Sequence, residues 1–146
     1  MITVDQLLSE ARMWVGTPYV DQAALKGIGC DCAGLLRGVG DVIGVHVLGA
    51  DDYPKEASGA ELLAALESNC DRLPVTSLEA TCPGTIVAMN MRSAPGPHHL
   101  LIRSEAGVIH AFGPGVREEP LFGFQRFHSA WWHREVIPWR KHSQLA

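Results

Sequence analysis

Hydrophobic spacing in this chain changes period once, near Pro83-Gly84, and that change limits the folds open to it. Before this point apolar residues recur at helical spacing; after it they come in short, β-branched runs. Helices followed by an antiparallel group of strands describe an α+β domain and argue against alternating α/β layers. The 146 residues are enough for a single domain, 1–146, with its own core and too few for two ordinary ones. With 47% apolar residues the chain should fold without staples.

In the helical part, Thr3-Val4-Asp5-Gln6 forms a capping-box pattern. Val4, Leu7, Leu8, Ala11, Trp14 and Val15 then predict a helix over 4–15, ended by Gly16-Thr17-Pro18. Residues 16–30 read as a loop. A second helix is expected over 31–43, with Leu35, Leu36, Val39, Val42 and Ile43 as its apolar stripe. Gly34, Gly38 and Gly40 weaken it in isolation but allow a neighbouring backbone to approach, so it should be central. Residues 44–57 look irregular. Ser58-Gly59-Ala60-Glu61 is a second capping box, and Leu62, Leu63 and Leu66 carry a third helix to about Asn69.

Pro74 and Pro83-Gly84 bracket a linking loop. Strands are expected over 85–91, 99–103 and 108–112, with Glu105-Ala106-Gly107 as a hairpin turn, and a last strand over 131–139 before a polar tail.

Composition removes several classes of function. The net charge of −4 and the absence of a basic run give no footprint for nucleic acid or for a membrane surface. No stretch approaches the roughly 18 apolar residues of a membrane span. The first residues lack the positive and apolar regions of a cleaved signal, so synthesis in the cytoplasm is expected, with any export by another route. The four cysteines, Cys30, Cys32, Cys70 and Cys82, fit reduced thiols better than a disulfide framework. Cys30-Asp31-Cys32 with Cys70, Cys82, His98 and His99 could supply zinc donors, but the spacing lacks the usual paired patterns, so no metal and no cofactor is expected.

Cys32 falls where a glycine-rich loop gives way to a helix. Unpaired N–H groups and the positive end of the helix dipole favour thiolate there, and the same N–H groups can hold a developing oxyanion. A free cysteine is also a common small core residue, which is the reading given to the other three. A nucleophilic thiol needs a base and a group to orient it. If Arg103 pairs with Val108, Leu101 lies opposite His110, and His99 is one diagonal step away on the same face. A slip of one residue would separate the two rings. His98 should point to the opposite face, His128 and His133 look structural, and His46 and His142 carry no usable context.

Together these residues resemble a known family. Gly16-Thr17-Pro18-Tyr19, followed by Gly29-Cys30-Asp31-Cys32-Ala33-Gly34-Leu35, is similar to the signature of the NlpC-like cell-wall cysteine peptidases, in which a G-x-P-Y segment precedes D-C-S-G-L. Ala33 stands where serine is usual. His99-Leu100-Leu101-Ile102 resembles the strand that begins with the family's base, with Leu101 where glycine is common. Val108-Ile109-His110-Ala111 resembles the strand of the third residue, and Gly84-Thr85-Ile86-Val87 lacks the acid of a G-D start. The resemblance implies a papain-like α+β fold and a catalytic Cys32, His99 and His110. It also implies that Tyr19 and Asp31 line the substrate site, although an acid at Asp31 is equally expected of a helix N-cap.

The implied activity is hydrolysis of amide bonds in peptidoglycan stem peptides, commonly between D-γ-glutamyl and a diamino acid. The variant running from Gly16 through Lys26-Gly27 to Leu36-Arg37-Gly38-Val39 most resembles stand-alone peptidases of phage tails and gene transfer agents. That implies a virion tail component acting on the host cell wall or periplasm, with a tail hub or baseplate as partner. Trp131-Trp132 would be core or a docking surface. Two alternatives stay open: a structural tail-tip component that keeps the fold with little activity, and a papain-like amidase acting on another substrate.

Overall fold

Thr3 begins the first helix, α1 (Val4–Arg12), as the capping box requires: its hydroxyl accepts the Gln6 N–H at 3.1 Å, and the Gln6 side chain accepts the Thr3 N–H at 2.8 Å. The computed structural model describes residues 1–46, 59–90, 96–121 and 126–138. α1 stops three residues before the expected Val15. Met13 and Trp14 instead donate to carbonyls three residues back, a tightened last turn that buries Trp14 and leaves Val15 exposed.

The second helix, α2 (Cys32–Ile43), starts on Asp31 and ends on Gly44, which has a φ of 88°. A Cβ at Gly38 would lie 2.0 Å from the Trp14 ring, so glycine is what lets the turn after α1 lay its indole against α2. Val42, expected in the apolar stripe, is exposed. The third helix, α3 (Gly59–Glu67), ends before Asn69; Ser58 of its predicted box lies outside the described residues, as do 47–57.

The strands number more than the sequence reading expected. A small hairpin, β1 (Ala24–Leu25) with β2 (Gly29–Cys30), replaces part of the expected loop. Cys70, just past the expected end of the third helix, opens β3 (Cys70–Leu73). β4 (Ile86–Asn90), β5 (Pro97–Arg103) and β6 (Val108–Phe112) match expected strands, and β7 (Gly115–Glu119) is an additional one. The last strand, β8 (Phe127–His133), starts four residues earlier than expected, and Trp139 lies outside the described residues. The main sheet is antiparallel, in the order β3-β8-β4-β5-β6-β7.

Both faces of the sheet are covered. Leu7, Leu8, Leu35, Leu36 and Val39 of the helices pack on Ile86, Leu100, Ile102, Ile109 and Trp131. On the other face Leu78, Val87, Met89, Leu101 and Val108 form a smaller cluster, flanked by Leu121 and Phe127. That is why Ile86-Val87-Ala88-Met89 is apolar without alternation, as in a strand buried on two sides. The fold is α+β, as expected. Among the described residues no helix is long and apolar enough to cross a membrane, and all four cysteines are free thiols.

Candidate active site

The segment before α2 is tied down by backbone bonds at every step. Gly16 donates to the Val116 carbonyl at 2.9 Å, Val116 donates to Thr17 at 2.9 Å, and Tyr19 donates to Pro114 at 3.0 Å. Cys30 donates to Pro18 at 3.0 Å, and Val20 to Cys30 at 3.1 Å. The Gly16-Thr17-Pro18-Tyr19 run therefore links the start of α2 to the β6–β7 turn. Asp31 places one carboxylate oxygen 2.6 Å from the Gly34 N–H as an N-cap and the other 2.8 Å from the Gln22 N–H, which holds Gln22 at a φ of 59°. A Cβ at Gly34 would fall 1.9 Å from the Ala23 carbonyl oxygen, so only glycine lets the chain entering β1 pass so close to the first turn of α2.

This frame delivers Cys32 to β5. Its Sγ lies 3.9 Å from the His98 carbonyl oxygen, and the N–H groups of Leu100, Ala33 and Cys32 itself act on it. The approach is possible because, among the described residues, the β5–β6 ladder pairs only Ile102 with Ile109 and Arg103 with Val108. Arg103 and Val108 pair as supposed from the sequence. Past them the two strands are joined by side chains: His99 Nε2 is 2.8 Å from His110 Nδ1. Both imidazoles are buried. Phe112, half-exposed, stacks parallel to His110 with 6.1 Å between centroids and packs edge-on against His99 at 5.5 Å.

Electrostatics at the site corrects one expectation. Burial pushes the Cys32 thiol up to about 11, and the three N–H groups, led by that of Leu100, only partly oppose this, while Asp31 adds to the rise. The helix start thus does not make a resting thiolate. Burial, then the neighbouring His110, pulls His99 down to about 3, so its ring is neutral. Burial also holds His110 below its usual range, against the opposing pull of Glu119. Cys32 is thus a thiol and His99 a neutral imidazole. Burial pushes Tyr19 up to about 12, with Cys32 and Asp31 adding to the rise; its hydroxyl therefore lies within electrostatic reach of the thiol and keeps its proton.

The sequence reading missed Glu119. Its carboxylate is 2.5 Å from His110 Nε2, on the strand the reading did not include. A charged residue nine positions after a strand histidine was the one available signal. The other histidines serve elsewhere. His133 donates from Nε2 to the His46 carbonyl at 2.7 Å, His128 bonds the Ser129 hydroxyl at 2.9 Å, and His98 lies 3.0 Å from the Gly96 carbonyl. Among the described residues no cluster of three or more His, Cys, Asp or Glu could hold a metal ion.

The chain matches no family sequence model and no curated protein sequence. Solved structures do match its fold. A Staphylococcus aureus protein of the NLP/P60 family, described as similar to lipoprotein, superposes with a TM-score of 0.60 at 19% identity, covering 92% of this chain and 42% of that one. An NlpC/P60 family protein of Bacillus cereus gives 0.61 at 21% identity, covering 87% and 39%. The peptidoglycan hydrolase RipB of Mycobacterium tuberculosis gives 0.56 at 20% identity, covering 92% and 65%. The fold is therefore that of NlpC/P60 proteins, and the chain spans only part of the length of each of these three.

Proposed function

We propose that the chain is a cysteine peptidase that hydrolyses amide bonds in peptidoglycan stem peptides. Cys32 is the nucleophile, His99 the base and His110 the group that orients His99. The observation that carries this reading is a helix-start thiol set under backbone N–H groups and against β5, the strand whose His99 is joined to His110 of β6. The match of fold to RipB, itself a peptidoglycan hydrolase, supports the choice of substrate. The departures from the family pattern lie in packing: Ala33, Thr85 and Leu101 are all buried.

In this mechanism His99 takes the proton of Cys32 as sulfur attacks the amide carbonyl. The N–H groups of Cys32 and Ala33 stabilise the oxyanion. His99 then protonates the leaving amine, which departs and leaves a thioester on Cys32. Water, deprotonated by His99, attacks that thioester and releases the carboxylic acid and the free thiol. Tyr19 contacts the substrate with its protonated hydroxyl. Asp31 acts mainly by building the site, because each of its oxygens holds a backbone N–H.

The bond proposed is D-γ-glutamyl–diamino acid, and the setting proposed is a phage tail, docked to hub or baseplate proteins and acting on the host wall. The resemblance of the 16–39 segment to tail-encoded peptidases supports the setting. Digestion of purified sacculi, with mass spectrometry of the soluble products, tests the reaction. Fragments with a new free amine on the diamino acid are expected. Products that appear equally with Cys32→Ala protein would refute the assignment.

A further inference from the structure

His99, His110 and Glu119 lie on three neighbouring strands, β5, β6 and β7. The register pairs His110 with Arg117 and Val108 with Glu119, so Glu119 is one diagonal step from His110 on the same face. His99 is one diagonal step away on the other side, continuing the pairing of Ile102 with Ile109. The three side chains form one line: His99 Nε2 to His110 Nδ1 at 2.8 Å, then His110 Nε2 to Glu119 Oε2 at 2.5 Å. The other carboxylate oxygen of Glu119 faces Arg117, whose guanidinium is 3.8 Å away at the surface.

A hydrogen bond between two neutral imidazoles is ambiguous in direction. Either ring can donate, because each neutral ring has one N–H and one bare nitrogen. Only one direction leaves His99 useful as a base. If His99 donates from Nε2, its Nδ1 is bare and can take a proton; if His110 donates from Nδ1, the proton of His99 is forced onto Nδ1. The pair alone does not choose between these forms. An ionised carboxylate does, since it can only accept.

We propose that Glu119 is a positioning residue that sets the direction of this chain. It accepts from His110 Nε2–H, which leaves His110 Nδ1 bare to accept from His99 Nε2–H, and so presents a bare Nδ1 on His99 for the proton of Cys32. The consequence for catalysis rests on the peptidase reading; the direction of the hydrogen bonds does not. The partly exposed carboxylate thus fixes the tautomers of two rings that are themselves buried.

Glu119→Gln tests this with little change of shape. A carboxamide presents an acceptor or a donor, so the direction is no longer imposed. Nitrogen-15 spectra of histidine-labelled protein at neutral pH report the tautomer of each ring. The wild type should show Nε2–H on both His110 and His99. Glu119→Gln should show a substantial Nδ1–H population on His110, and Cys32 should react with iodoacetamide more slowly by about tenfold or more, as a wrong tautomer predicts, with Cys82 unchanged. Unaltered tautomers and unaltered Cys32 reactivity in Glu119→Gln, or Nδ1–H on His110 in the wild type, would overturn the assignment. Both readouts are independent of substrate. A wild type that leaves sacculi intact yet shows the expected tautomer change supports Glu119 and refutes the peptidase reading. Normal digestion with no tautomer change does the reverse.

Discussion

On the helix side of the site, Cys32 is held by backbone: the Asp31 cap, the Gly34 approach and the bonds of Pro18, Tyr19 and Val20 all act on main-chain groups. On the strand side, the bonds run between side chains, with His99, His110 and Glu119 joined across three strands. The first side depends on backbone geometry between Gly16 and Gly34 and on its tie to the β6–β7 turn. The second depends on register and protonation. A substitution on the helix side should therefore act on folding, and one on the strand side on proton transfer.

The largest effects should come from breaking either side at its reactive atom. Cys32→Ala and His99→Ala should each bring peptide release from sacculi to background, with circular dichroism and thermal midpoints close to wild type. A fold lost in both would show that the two sides are not separable.

Next comes pH. His99 is held near 3 in the folded protein against about 6.5 when unfolded. Between those values the unfolded chain binds more protons, so stability rises with pH through this window and falls as acid is added. The slope from His99 approaches about 1.4 kcal/mol per pH unit, and His110, also held low by burial, adds to it. Urea midpoints from pH 7 to pH 4 check this, and His99→Gln should flatten the dependence.

Smaller effects belong to the helix side. Gly34→Ala forces a methyl group against the Ala23 carbonyl and should cost about 1–3 kcal/mol of stability. Asp31→Ala removes the cap and the Gln22 bond and should cost about 1 kcal/mol for the cap alone. Both are read from denaturant midpoints. If Asp31→Ala instead raised the Michaelis constant for peptide without loss of stability, Asp31 would be a substrate contact rather than part of the frame.

The same division explains what could be read from the sequence. The capping box at Thr3, the helix start at Cys32 and the pairing of Arg103 with Val108 are local signals, and they suffice to bring His99 and His110 onto one face. The strands not recognised in the main sheet are its two edges. β3 carries exposed Asp71 and Arg72, and β7 carries Arg117, Glu118 and Glu119, so neither shows an apolar pattern. Charges on edge strands are how sheets avoid pairing with other chains. Glu119 was overlooked for that reason: its strand looks like loop. The high position of the Cys32 thiol was not legible either. A helix start is visible in sequence, whereas the burial that outweighs it arises from packing against β5.

The central claim is that Cys32 carries the acyl group during hydrolysis. Brief mixing of the protein with soluble stem-peptide fragments, an acid quench and peptide mapping by mass spectrometry would test it most directly. The account predicts a thioester adduct on the peptide that contains Cys32, absent from Cys32→Ala protein. An adduct on another residue, or hydrolysis that proceeds in Cys32→Ala, would contradict it.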